Sequence, residues 1–312
     1  MPRITLVIIV LALAGRAAGQ DKTLPGLDVL PGSKDTVLTR SDSLFIFSLL
    51  DSLLTLPPVS ATQLILRAGY NSNITATGRP FALGNYGLSS GIGIIHQSGF
   101  FADISGYWSR EYSPSYFLTT TTAGYLWSPN LNWTLAGEYN RFWYNLSDNS
   151  YIAYNNSLSM TAFWHKGRFN ARADYSLYFG KKTGHRLNPA VAMDLKWDKK
   201  LGLDRIRIMP MFSVLLGTES ITTYVPYSKD PMVIRERIRR GLPLFYNQTG
   251  TKAGIMNYNF SLPLTLRKGG WDLLFNYSYN IPKALPGETL GLSKGGFFSF
   301  SVTRYIDLRK GN

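Results

Sequence analysis

Arg168-Phe169-Asn170-Ala171-Arg172-Ala173-Asp174-Tyr175-Ser176-Leu177-Tyr178-Phe179-Gly180 sorts its side chains by parity. Phe169, Ala171, Ala173, Tyr175, Leu177 and Phe179 fall on one face of an extended chain, and Asn170, Arg172, Asp174, Ser176 and Tyr178 fall on the other. Successive side chains of a strand point to opposite sides of the pleat, so this period of two marks a β-strand between an apolar and a polar environment. A helix would scatter the same residues around its circumference. The alternation also outlasts the usual globular strand of about 5–6 residues.

The pattern recurs along the chain. Leu131 to Tyr144 sets Leu131, Trp133, Leu135, Gly137 and Tyr139 against Asn132, Thr134, Ala136, Glu138 and Asn140. Arg186 to Trp197 sets Leu187, Val191, Met193 and Leu195 against Arg186, Asn188, Asp194 and Lys196. Gly254 to Arg267 sets Met256, Tyr258, Phe260, Leu262, Leu264 and Leu266 against Asn257, Asn259, Ser261, Thr265 and Arg267. Extended over the chain from Ala61, the alternation predicts twelve strands, near 61–72, 86–97, 100–112, 117–128, 131–144, 153–164, 168–180, 185–197, 205–217, 251–267, 271–281 and 296–307.

A water-soluble sandwich also alternates, so the connections and the tryptophans decide the environment. Links after odd strands are mostly long, as in 72–86 and 217–250, whereas links after even strands are mostly tight, as in Ser98-Gly99, Pro129-Asn130 and Lys268-Gly269-Gly270. Short turns at one end and longer loops at the other describe a transmembrane β-barrel. All seven tryptophans fall near strand ends: Trp127, Trp133, Trp164, Trp197 and Trp271 at the turn side, Trp108 and Trp143 at the loop side. That is the placement of two aromatic girdles at headgroup level. The fold expected over residues 60–312 is therefore all-β, a twelve-stranded antiparallel transmembrane β-barrel with a short N-terminal helical extension.

Composition narrows the classes further. The 312 residues contain no cysteine, which excludes a disulfide framework, a thiolate metal site and a cysteine nucleophile. With 45% apolar and 14% aromatic residues against 17% charged, full-length disorder is excluded as well. Residues 1–19 combine Arg3, an apolar stretch from Ile4 to Ala14 and a small-residue exit at Ala17-Ala18-Gly19, the anatomy of a signal peptide. That stretch is too short for a spanning helix, which needs about 20 residues. Residues 20–59 read as a periplasmic linker leading into one short amphipathic helix, Ser41 to Leu54, stopped by Pro57-Pro58. Without the signal the chain carries 31 bases and 19 acids. Export directs this surplus away from nucleic acid and toward a membrane surface or an anionic solute.

Over residues 60–308 the chain resembles the Gram-negative outer-membrane β-barrel superfamily. The resemblance rests on the twelve strands, the girdle, the turn asymmetry and the C-terminal strand Phe297-Phe298-Ser299-Phe300-Ser301-Val302-Thr303-Arg304-Tyr305-Ile306. It implies an outer-membrane location, periplasmic turns, external loops, and membrane lipid and lipopolysaccharide as surroundings.

Function then rests with inward side chains and long loops. Parity turns Gln63, Arg67, Asp103, Glu138, Arg168, Arg172, Asp174, Asp194, Lys196, Arg205, Arg207, Arg267 and Asp272 inward. Arg67, Arg172, Arg205, Arg207 and Arg267, with Glu138, Asp174 and Asp194, are the candidate solute-binding set. They form either a charged eyelet that attracts small anionic solutes or a salt-bridge network that fills the lumen. In the loop 217–250, Arg235, Arg237, Arg239 and Arg240 lie on a short basic helix that constricts the pore if folded inward, or meets lipopolysaccharide phosphates if turned outward.

Catalytic signals are weak. Gly87-Leu88-Ser89-Ser90-Gly91 matches a nucleophile elbow but begins a strand and precedes no helix. Some barrel lipid hydrolases use a histidine near the outer leaflet, and of His96, His165 and His185 only His185 lies at the loop side, with Ser113, Ser115 or Thr119 as its candidate hydroxyls. No cofactor is expected, and no HExxH, EF-hand pattern or histidine pair suggests a metal. The expected function is a passive porin-like channel. The alternatives are a closed barrel anchoring an envelope protein partner and, third, a lipid hydrolase.

Overall fold

The computed structural model describes residues 61–72, 75–76, 79–80, 86–110, 112–145, 152–288 and 294–308. The expected signal peptide and N-terminal helix lie outside the described residues.

Alternation becomes twelve long strands. They are β1 Gln63–Asn71, β2 Gly87–Ile95, β3 Phe100–Ser109, β4 Tyr116–Asn130, β5 Trp133–Tyr144, β6 Tyr154–Lys166 and β7 Phe169–Gly180. β8 has two segments, Thr183–Met193 and Leu195–Lys200, either side of Asp194. β9 likewise has Leu203–Ile208 and Met211–Pro226, interrupted where Pro210 lacks an amide hydrogen. β10 Phe245–Lys268, β11 Trp271–Pro282 and β12 Gly295–Asp307 complete the set. Each strand pairs antiparallel with the next, and β12 returns to β1 from Gln63↔Asp307 to Asn71↔Ser299, so the sheet is a closed barrel.

Local chemistry sets the tight ends. Gly269 and Gly270, at φ 54° and 78°, supply the two left-handed residues of a primed hairpin turn. Asn130 closes the β4–β5 turn by accepting from the backbone N–H of Asn132 (2.9 Å) and Trp133 (3.0 Å).

Two boundaries differ from the sequence expectation. The segment 198–204 is not a loop: β8 and β9 continue to a two-residue turn at Leu201-Gly202. The segment 217–250 is mostly strand. Its β-branched run Thr218 to Val225 pairs with 246–253, so that nine register pairs from Thr218↔Ala253 to Pro226↔Phe245 extend β9 and β10. Neighbouring strands stop short of them, at Arg186↔Gly217 on one side and Asn257↔Pro282 on the other. The result is a two-stranded flap about 30 Å long, at about 3.4 Å per residue. Leu285 of the β11–β12 loop packs against Ile221 and Met256 at its base.

Between its turns the flap carries α1, Pro231–Arg239. Asp230 caps it, accepting from the Met232 amide at 2.8 Å, and Pro231 occupies the first turn where no N–H is needed.

The outer surface is apolar where strands pass mid-barrel, as at Ile92, Ile104, Leu158, Met160, Tyr175, Phe260 and Phe275, all of them exposed. In water such a continuous belt would far exceed the few hundred Å² of apolar patch that soluble monomers show. The seven tryptophans all take the outward parity: Trp133 stands opposite Trp164, Trp127 opposite Leu135, Trp108 opposite Leu88 and Trp197 opposite Ile206. Outward arginines lie at these same levels, Arg141 over the Trp143 ring and Arg304 over the Trp271 ring, each 5.0 Å from the centroid.

Met160→Arg, in the middle of the lipid-facing belt, should destabilise the barrel in phospholipid vesicles by about 2–4 kcal/mol, and Leu131→Arg in a turn by no more than about 1 kcal/mol. Denaturant titration followed by tryptophan fluorescence measures both, and equal costs would contradict a lipid-facing belt.

Candidate functional site: the lumen

Inward faces divide the lumen into a filled half and an open half. Toward the turn end, Ile65, Ile95, Phe101 and Ala136 from β1, β2, β3 and β5 pack together, with Leu126 and Tyr305 against them. Toward the loop end, Phe117, Leu118, Phe142, Tyr154 and Tyr178 form a second apolar cluster with Tyr112 and Ala153. The remaining space is a cavity of about 330 Å³ bordered chiefly by β7 to β12 with parts of β1 to β3. Its wall follows β7 from Asn170 to Tyr178 and includes Arg207 and Asp272 near the turn end and Arg186 and Asn280 nearer the loop end.

The five expected lumen arginines are all present, and each is tied to a carboxylate. Arg67 reaches Asp103 at 2.7 Å and also donates to Ser105 at 3.0 Å. The guanidinium lies across Gly91, where a Cβ would collide with Ser105 and stand 3.0 Å from Arg67 Nη2. Arg172 donates to Asp174 at 2.6 Å, and Thr161 donates to the same carboxylate at 2.7 Å. Arg207 grips Asp194 with two bonds, at 2.7 and 2.9 Å. Arg267 binds both oxygens of Asp272 in the same fork geometry. Arg205 pairs with Asp198 at 2.8 Å, but this pair is more than a third exposed at the turn-side rim. Glu138 is inward and buried on β5, accepts from Asn140 at 3.1 Å, and does not border the cavity.

Arg168 is a correction. It was expected inward by counting parity from the start of the strand, but it occupies the β6–β7 turn beside Gly167 and is exposed. Lys196 is likewise exposed, beyond the end of β7. Gln63 bonds Asp307 at an exposed rim position. Asp103 and Asp272 hold Arg67 and Arg267 as described.

Arg186 was absent from the expected charged set although its parity was legible. It is buried, bridges to Glu219 at 2.6 Å and donates to the backbone oxygens of His185 and Thr218. Charge counting in the lumen therefore includes six ion-paired arginines. Seven inward carboxylates, Glu138 among them, offset these, so the interior is close to charge balance.

The basic helix stands apart from this cavity. α1 has no buried residue, and neither Arg235, Arg237, Arg239 nor Arg240 borders the cavity. Arg237 lies over the Tyr227 ring at 3.8 Å, and Arg240 pairs with Glu236 one turn back.

Catalytic motifs find no support in the geometry. Gly87 to Gly91 lies within the straight strand β2. The ring of His185 meets the hydroxyl of Tyr175 at 2.9 Å on the outer face, whereas Thr119 is bonded to Tyr116. His96 bonds Ser98 and His165 bonds Asn170, each at 2.7 Å. Among the described residues no group of three or more His, Cys, Asp or Glu is placed to hold a metal ion.

An even-stranded closed antiparallel barrel, apolar outside, ringed by tryptophan at both ends and polar within, is the architecture of the outer-membrane β-barrel class. No protein-family model matches the chain, and no curated protein does. Among solved structures the chain is similar to the KdgM porin, at 8% identity over 78% of this chain and 99% of that one, with a TM-score of 0.43. It is also similar to the NanC porin, at 10% identity over 78% and 100%, TM-score 0.41. A further likeness is to OprD of Pseudomonas aeruginosa, at 9% identity over 80% and 96%, TM-score 0.34. Values of this size carry no inference about solute.

Removing one member of a buried pair strands the other charge. Arg67→Met or Asp103→Leu alone should therefore cost about 3 kcal/mol, whereas the two combined should recover most of that loss. Urea midpoints of the two single variants and the double variant, read as a double-mutant cycle, check the pair.

Proposed function

We propose that the chain is a passive channel of the bacterial outer membrane that admits small solutes through the open half of its lumen. The observation that carries this reading is the cavity of about 330 Å³, whose wall of mixed polar and apolar groups extends from the Arg207–Asp272 level to the Arg186–Asn280 level. A volume of this order fits a small solute and not a folded polymer. Because every arginine of the candidate set has its own carboxylate, the lumen should select only weakly between anions and cations. This replaces an anion-attracting eyelet with a charge-balanced passage.

The second reading, a closed barrel that anchors an envelope protein partner, draws on the two apolar clusters that fill the other half. Purified protein in planar bilayers separates the two, since a channel gives discrete conductance steps and a closed anchor gives none. Replacing Asp174, Asp194 and Asp272 together by Asn should free Arg172, Arg207 and Arg267 and shift the reversal potential in a KCl gradient toward chloride. An unchanged potential would place these pairs off the ion path.

In the same reading we propose that the flap meets the outer leaflet. α1 presents Arg235, Arg237, Arg239 and Arg240 beside exposed Met232, Ile238, Leu242, Phe245 and Tyr246. Cationic and apolar groups side by side suit the phosphate and acyl border of lipopolysaccharide. Arg235→Ala with Arg239→Ala should lower lipopolysaccharide retention about thirtyfold, from about 1 kcal/mol for each cation near an anionic surface. Unaltered co-purification of lipopolysaccharide would remove the flap from that contact.

A further inference from the structure

The uncharged part of the cavity wall has an organisation that the ion pairs do not explain. On β10, β11 and β12 the inward positions loopward of Arg267 and Asp272 carry mainly amides and hydroxyls. Register brings Asn259 opposite Asn280, Ser261 opposite Ser278, and Asn276 opposite Ser299, in adjacent rows of one lattice. Asn280 is 3% exposed, and its Oδ1 accepts from Asn257 at 2.6 Å and from Asn259 at 2.9 Å. Those two bonds fix the amide and leave its Nδ2 without a protein partner. Asn276 donates to Ser278 at 3.0 Å and keeps a buried Oδ1 without a partner. The hydroxyls of Ser261, 8% exposed, and Ser299, 3% exposed, also have none.

Buried polar groups of this kind cost free energy unless something bonds them, and they bond a matching ligand in preference to an apolar one. The wall offers the Asn280 amide donor, the Asn276 amide acceptor and the Ser261 hydroxyl, which can donate and accept, with Ser299 in the same lattice but not bordering the cavity. A carboxylate or phosphate needs several donors and an uncompensated cation, whereas the arginines of this lumen are ion-paired. A neutral ligand with many hydroxyls matches both kinds of group at once. Phe297, opposite Ser278 in the register and itself on the cavity wall, adds an apolar ring beside the polar lattice.

We propose that the β10–β12 wall is a binding track for neutral, hydroxyl-rich solutes of the saccharide or polyol class. This rests on the channel reading for its physiological sense, but the site itself stands on the wall geometry.

Maltotriose, a neutral trisaccharide, is the probe. Added to an open channel in a planar bilayer, it should interrupt the current in a concentration-dependent way. Calorimetry on the detergent-solubilised protein should show saturable binding. Ser261→Ala combined with Asn280→Leu should weaken the block at least tenfold. Ser261→Ala alone, a minimal change, should weaken it severalfold and guards against a folding defect in the double variant. An anionic uronic-acid trisaccharide should bind more weakly than maltotriose. Conductance with neither block nor binding overturns the track and leaves the channel intact. Binding without conductance overturns the channel and leaves the track. Tighter binding of the anionic sugar, or binding unaffected by both variants, overturns the assignment to this wall.

Discussion

A strand crossing hydrocarbon has no water to bond its amides, so every N–H and C=O at that depth must be satisfied by another strand. The pairing of β1 with β12 is the contact that makes this possible, because it removes the last two edges of the sheet. Much else follows from that closure. An even number of antiparallel strands returns the chain to the side from which it started. The pleat then commits alternate residues to lipid and lumen, which is why Met160 faces out and Ser159 faces in on the same strand. Only beyond Gly217 and Asn257, where neither neighbour continues, do β9 and β10 keep each other as sole partners.

Within the closed wall, electrostatics is solved pair by pair. Inward arginines at Arg67, Arg186, Arg207 and Arg267 are mostly buried, and a lone cation there would be costly. Bidentate geometry ties β8 to β9 beside their interruptions, through Arg207 and Asp194, and β10 to β11 at their turn, through Arg267 and Asp272. The charges therefore stabilise the wall near the turns, and the neutral amides and hydroxyls line the part of the wall that a solute would meet next.

Strand positions were legible because the period of two is local: Phe169 to Phe179 declares its faces without knowledge of any neighbour. Tryptophan placement was legible for the same reason. Register was not, since the Arg67–Asp103 bond depends on how β1, β2 and β3 align, and nothing in either sequence segment states it. Parity failed at Arg168 because a turn interrupts the pleat from which it is counted. The flap was hidden because Gly217 and Gly250 bracket a Thr- and Ser-rich run that reads as loop, although its β-branched residues pair along their whole length. The amide and hydroxyl lattice of Ser261, Asn276, Asn280 and Ser299 was visible as polar alternation, but charge drew attention elsewhere.

The uneven filling of the lumen gives its two halves different freedoms to vary. Substitutions among Ile65, Phe101, Leu118 and Phe142 act on packing, so selection there is for a barrel that assembles. The uncharged lumen residues of β10 and β11 instead border the cavity, so on the proposed channel reading substitutions there act on the solute path. On the proposed channel reading, solute preference can then vary along one wall while the opposite wall keeps the scaffold constant.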